Sequence, residues 1–381
     1  MNEQKTKTKN RIIMIARVLV FVLLFLFLLR TLSYMVRGSG DTKNRFMGFY
    51  AEPKDTLDIV MIGSSPTYSC CSMPELYGEY GIKAYPLASN VQRPISGQFL
   101  VKEAEKTQSP KLYMFEMRMY VGLEVGLGGN MVYTREVTDN MMYSMNRIDA
   151  INAMVTTHIT EEDTDRYTYY FDIFKYHSNW PSLIHPDQWA SWRYTKLDPN
   201  KGYKITDKVG PVDMPVVSED PEPVELDPYQ EEALNDLLAA VKETGAQALF
   251  YVSPYKLADG DAQKYAHIKE VVEAAGYDFL DMNHYYEELD IDFSGDFSDY
   301  GIHTNAVGAK KCTMFLGEYL RDNYDLPDHR AAGTDGAGQS AAERKSNESW
   351  DTAYEKWLGD YDAAVPVIDR RIEEKDFFVA E

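Results

Sequence analysis

Apolar residues fall in three patterns along this chain, and each predicts a different kind of element. The first is one unbroken run. Residues Ile12 to Leu29 are apolar apart from Arg17, and Val18 to Leu29 are all aliphatic or Phe. As a helix those eighteen residues rise about 27 Å, enough to cross the hydrocarbon core of a bilayer, and Arg17 can snorkel to the interface. The second pattern is short runs rich in β-branched and aromatic residues: Leu57 to Ile62, Lys83 to Leu87, Lys111 to Met117, Ala246 to Val252 and Tyr277 to Met282. These predict five buried strands. The third has helical spacing and lies between them, over Gly97 to Lys106, Tyr229 to Glu243, Gln263 to Ala275 and Ala306 to Leu320. Leu234, Leu237, Leu238 and Val241 mark one apolar face, and Gly245 and Gly276 close their helices. Strands alternating with helices predict an α/β fold, its parallel sheet covered on both faces.

Residues 121–223 break that rhythm and read as an insertion between the third and fourth strands, partly helical around Asn146 to His158. Insertions at the carboxyl edge of a sheet commonly carry binding residues. Gly210 to Glu225 is Pro- and acid-rich and predicts an exposed connector. The main domain is placed at 56–330, reached from the apolar run by a tether over 35–55. Residues 331–346, rich in Gly, Ala and Ser, predict a flexible linker. A C-terminal tail at 347–381 then holds one or two helices docked by Trp350, Tyr354 and Trp357.

Charge gives the apolar run a direction. Lys5, Lys7, Lys9 and Arg11 lie in residues 1–11, so the positive-inside rule keeps the N-terminus in the cytoplasm. Leu29-Arg30-Thr31-Leu32-Ser33-Tyr34 offers no small-x-small cleavage site. Residues 12–34 therefore predict an uncleaved transmembrane signal-anchor at the cell membrane, with the rest of the chain extracytoplasmic. Residues 1–40 hold seven Lys and Arg against one acid, a net +6; with −21 overall, residues 41–381 carry −27. So acidic a domain argues against a nucleic-acid partner. Three cysteines, two of them the neighbours Cys70 and Cys71, make no disulfide framework and read as buried thiols with Cys312.

The candidate chemistry begins at Ile62-Gly63-Ser64-Ser65, where the first strand ends and Pro66 can open a helix. A serine there projects from the carboxyl end of a strand, where open α/β sheets place their ligands. Far downstream lies Asp296-Phe-Ser-Asp-Tyr-Gly-Ile-His303-Thr-Asn305. A hydroxyl nucleophile needs a base within reach and a third group to orient that base. The chain offers all three in the order Ser, Asp, His. The competing reading is a serine-rich helix N-cap and an acidic loop with a surface histidine. Glu116 and Arg118 point to the same face of the third strand: either they pair with each other or Arg118 lines the pocket. Asp290 to Gly295 mimics the start of a calcium loop, but position twelve is Gly301 rather than a glutamate. No zinc motif and no phosphate-binding glycine motif occur, so neither metal nor cofactor is called for. Tyr167, Tyr169, Tyr170, Trp180, Trp189 and Trp192 read as packing groups or as platforms for sugar rings.

Gly63-Ser64-Ser65 and Asp299…His303-Thr-Asn305-x-x-Gly308, with the strand–helix order over Leu57 to Leu320, resemble the SGNH (GDSL-like) hydrolase superfamily. The chain is most similar to its membrane-anchored members that serve envelope modification, of the D-alanyl-lipoteichoic acid transfer and alginate acetylation types. The resemblance implies a three-layer α/β/α, flavodoxin-like sheet. It implies Ser65 as nucleophile, with Ser64 in place of the usual Asp, His303 as base and Asp299 as orienter. The family usually spaces Asp and His two residues apart; here three intervene, so Asp296 stays open as the orienter. The oxyanion donors are the Ser65 N–H and, from the loop Ala88 to Gln92, Asn90 or Ser89; the family's donor glycine in that loop and the Asn after strand three are missing. The implied function is a serine esterase or O-acyltransferase acting on acyl esters of a cell-envelope polysaccharide, with a membrane-bound O-acyltransferase as partner. The missing donors suit the alternative, an inactive SGNH-fold module that binds glycan or assists envelope assembly.

Overall fold

The computed structural model describes residues 2–38, 40–156, 166–330 and 340–379. The chain divides into two compact units, residues 1–39 with 165–194, and residues 40–164 with 195–381.

The smaller unit is built on one long helix, Asn2–Val36. It is long and apolar enough to cross a membrane, and its residues 12–28 are solvent-exposed along their length. The remainder of the unit comes from the insertion and consists of short helical turns, including Tyr167–Tyr170, Ile173–Tyr176 and Pro186–Ala190. These turns pack on the end of the long helix. Trp192 meets Phe27 edge-on at 5.7 Å, and Tyr194 meets Tyr34 at 5.3 Å. Arg37 pairs with the buried Asp172, and the Gln188 amide donates to the Arg37 carbonyl.

The larger unit holds the sheet. β1 (Ile59–Ile62), β2 (Ala84–Pro86), β3 (Leu112–Glu116), β4 (Gln247–Val252) and β5 (Asp278–Asp281) are all parallel, in the order β2-β1-β3-β4-β5. Met61 pairs with Met114, and Phe115 with Phe250. β1 and β3 are buried along their whole length, as a parallel strand covered on both faces must be. The five strands lie within the five runs the sequence pattern marks. The helices Gly97–Ala104, Pro228–Thr244, Asp261–Ala274 and Ala306–Asn323 match the helical stretches to within a few residues.

Several connections differ from the expectation. The expected tether 35–55 is helical over Asp41–Ala51. Phe46 and Phe49 are fully buried on one face, Phe49 against Tyr85, while the Arg45 guanidinium lies 3.5 Å over the Tyr68 ring. The connector from Gly210 is pinned where it begins, Gly210 N–H donating to Phe297 O and Val212 N–H to Phe293 O, and beyond that it is largely exposed through Glu225, as the sequence predicts. The insertion's helix is Met145–Thr156; His158 lies outside the described residues. Of the expected linker, 331–339 lie outside the described residues and 341–346 are helix. Ser340 and Glu343 form a capping box, which starts a single 34-residue helix, Ala341–Glu374. The helix docks through its tryptophans, as the sequence predicts. Trp350 is fully buried, and Trp357 packs with Tyr203 and Ala309.

Candidate active site

The site starts where β1 stops. Gly63 passes so close to β3 that an added Cβ would sit 2.7 Å from the Glu116 Cβ and 2.4 Å from Thr67 Oγ1. Only glycine lets the chain turn there. Ser64 is extended and buried, its hydroxyl without a hydrogen-bond partner. Ser65 opens the short helix Ser65–Ser69, with Pro66 in its first turn, and is half-buried at the head of a cleft. Of the two adjacent serines, Ser65 alone lines that cleft.

The partner side chains arrive on the loop before helix Ala306–Asn323. That loop folds back on itself, Phe297 bridging Thr304, Ser298 N–H donating to His303 O and Asn305 N–H to Asp296 O. At its tip Tyr300 and Gly301 both take positive φ, 61° and 88°. Two consecutive left-handed residues shorten the tip, so the three-residue gap still returns His303 to Asp299. One Asp299 oxygen accepts the His303 backbone N–H at 2.7 Å and the other stands 2.6 Å from Nδ1. With the Nδ1 proton directed at the carboxylate, Nε2 faces Ser65 Oγ at 2.7 Å as an acceptor. Burial pushes the Asp299 carboxyl up, but the hydrogen bonds and charge of His303, with the Arg118 charge, outweigh it and hold the group below its ordinary value. Asp296 faces away from this arrangement: its carboxylate accepts from Asp292 N–H and the Lys311 ammonium. Asn305 caps the helix, accepting from the Val307 and Gly308 N–H groups, and Gly308 leaves room for the Asp296 carbonyl, which an added Cβ would meet at 2.4 Å.

Arg118 is brought near the site but not into the cleft. β3 ends at Glu116, and a 3-10 turn over Arg118–Val121 takes the side chain out of the strand's alternation. Its guanidinium donates to the Ile302 carbonyl at 2.6 Å and Ser253 Oγ at 2.9 Å, and lies 4.0 Å over the Tyr255 ring. It also pairs loosely with Glu116 at 3.9 Å. Burial lifts the Glu116 carboxyl to about 7 against the pull of Arg118. Arg118 therefore braces the residue next to His303 and does not bind in the cleft. Asn90 does line the cleft, its backbone N–H fixed by Glu136 at 2.8 Å; Ser89 is buried and turned to Gln92.

The cleft is about 810 Å³. Its far walls were not foreseen from the sequence: the strap Lys204 to Lys208, the last-helix residues Lys356, Asp360 and Ala364, and Phe378 just beyond. Val209, Ala306, Ala364 and Ile368 form the apolar layer that fixes these walls together. Lys204 pairs with Asp41, Lys356 with Asp360, and Lys208 lies over the Phe378 ring, so the walls mix both signs. Among the described residues no group of three or more His, Cys, Asp or Glu could hold a metal ion, and the three cysteines are free and buried. Chemically, the arrangement supplies a hydroxyl whose proton has an acceptor, an acceptor with a fixed tautomer, and room for a substrate. No protein-family model matches the chain, and no curated protein sequence matches it.

Proposed function

We propose that this protein is a membrane-anchored, extracytoplasmic serine esterase or O-acyltransferase of SGNH type. The observation that carries the reading is the unbroken relay from Asp299 through His303 to Ser65, opening on the cleft. The order 2-1-3-4-5 supports a flavodoxin-like, three-layer arrangement. In such sheets ligands sit outside the carboxyl ends of the strands, where strand order reverses next to β1, and Ser65 follows β1. Ser65 Oγ attacks an acyl carbonyl while its proton passes to His303 Nε2, and Asp299 stabilises the imidazolium. The Ser65 N–H, with Asn90 as the second candidate, faces the developing oxyanion. The proton returns to the departing alcohol, and the acyl group left on Ser65 passes to water or to a glycan hydroxyl.

The long apolar helix supports an anchor, and the basic residues before it support a cytoplasmic N-terminus. The resemblance adds the substrate class, acyl esters of an envelope polysaccharide, and a membrane-bound O-acyltransferase as partner. The test is covalent labelling of the full chain in detergent with a fluorophosphonate. Labelling is expected for wild type and Ser64→Ala and is expected to vanish in Ser65→Ala and His303→Ala. A folded wild type that takes no label would move the protein to the non-catalytic glycan-binding reading.

A further inference from the structure

The short helical turns of the smaller unit bury little of their own aromatic surface. Tyr167, Phe171 and Phe174 cluster edge to face, with ring centroids 5.6 and 6.3 Å apart, yet each remains at least half exposed. Trp180, Ile184 and Trp189 are exposed to 47, 79 and 58%. Large apolar groups gathered in the open mark a surface that meets something else.

Their level along the long helix identifies what they meet. The exposed apolar stretch of that helix ends near residue 28, and the apolar run ends at Leu29. The aromatic turns contact the helix from Phe27, through Trp192, to Tyr34 and Arg37. Ten residues of helix span about 15 Å, so the turns begin where the hydrocarbon stretch ends and continue outward. That is the depth at which Trp and Tyr concentrate in membrane proteins. Charge agrees: Arg166, Lys175 and Arg193 are exposed, while the buried Asp172 is engaged by Arg37.

We infer that residues 166–194 form an aromatic collar seated in the headgroup region of the bilayer, around the exit of the membrane helix. The inference rests on the reading that this helix spans a membrane. The collar's partner is the lipid interface itself, its acyl boundary taking the rings and its anionic headgroups the basic side chains.

Spin labels test it on the full chain in vesicles of phosphatidylcholine with phosphatidylglycerol. Labels enter at Val22→Cys, Phe174→Cys and Trp189→Cys, the native thiols being buried. Depth is read from the accessibility of each label to oxygen against a water-soluble nickel chelate. The expected result is Val22 near the bilayer centre and positions 174 and 189 at the headgroup–acyl boundary, about 5–10 Å into it. Val22 deep with 174 and 189 as open to nickel as in water would overturn the collar and leave the anchor standing; a protein or a second copy would then be the partner. Val22 in water would overturn both. An independent reading needs no label: lipids brominated near the headgroup should quench tryptophan emission, and replacing the three collar tryptophans together, Trp180→Phe, Trp189→Phe and Trp192→Phe, should remove most of that quenching. Equal quenching in the triple variant would count against the collar.

Discussion

His303 Nε2 stands 2.7 Å from Ser65 Oγ, a contact made across 238 residues of chain. It is held from behind by Asp299, which accepts from both the ring and the backbone of the same histidine. Asp299→Asn should therefore leave the loop closed but turn the imidazole to the wrong tautomer. Turnover of a small activated ester such as p-nitrophenyl acetate is expected to fall by roughly 10⁴ in kcat, a smaller loss than in Ser65→Ala. An Asp299→Asn variant within a few-fold of wild type would remove Asp299 from the proposed mechanism.

Arg118 acts on this site from outside it. Its guanidinium holds the Ile302 carbonyl, one residue before His303, and its own place is set by Ser253 and the Tyr255 ring. Arg118→Lys keeps a charge but cannot span those partners. A shift of the His303 loop of even 1 Å is expected to lower kcat by up to about 10², with KM nearly unchanged because Arg118 does not line the cleft. A change confined to KM would instead make Arg118 a substrate contact.

How far this could be read beforehand depended on how local each signal was. β1 was legible because Ile59 to Ile62 carries its own pattern, and Ser65 because Gly63 and Pro66 bracket it. His303 could be picked from seven histidines by the Asn305 and Gly308 that follow, and both prove to shape the helix start. Arg118 does pair with Glu116, one of the two readings its spacing offers, but its hold on Ile302 and Ser253 was not legible, because strand alternation does not carry past Glu116, where the strand has ended. The helix Asp41–Ala51 was missed because its apolar residues cluster at one end, behind Asp41, Lys43 and Arg45. The cleft walls were hidden for another reason. Lys208 and Phe378 meet only through long-range packing, and no spacing within either segment announces it.

The last helix should be as necessary as any strand. Trp350 is fully buried against Tyr77, donates its indole N–H to Glu52, and has the Lys201 ammonium, itself bonded to Glu52, over its ring. Trp350→Ala is expected to cost about 3–5 kcal/mol through the cavity and the Glu52 oxygen left without its indole donor. Trp350→Phe should cost less, since most of the packing survives. Urea unfolding followed by circular dichroism checks the order. Equal, small losses would mean that the helix is only loosely docked.

Glu75 gives the protein a predictable pH dependence. Its carboxylate is fully buried with no hydrogen-bond partner, and its nearest cation, the Lys310 ammonium, stands 3.6 Å away over the Tyr361 ring. Burial raises the group to about 8 against the pull of Lys310. The folded state thus holds this proton more tightly than the unfolded chain, whose value is the ordinary 4.5. Stability from this residue is fully present below pH 4.5 and is lost progressively as pH rises toward 8. By neutrality the loss is on the order of 3 kcal/mol, at about 1.4 kcal/mol per pH unit. Glu75→Met matches the shape, needs no hydrogen bond, and leaves the partly exposed Lys310 to water. The variant is expected to be more stable than wild type at pH 8, with the difference shrinking to nothing or reversing at pH 4.5. Urea midpoints measured at both pH values decide it: a gap that does not change with pH would show that Glu75 does not carry the titration.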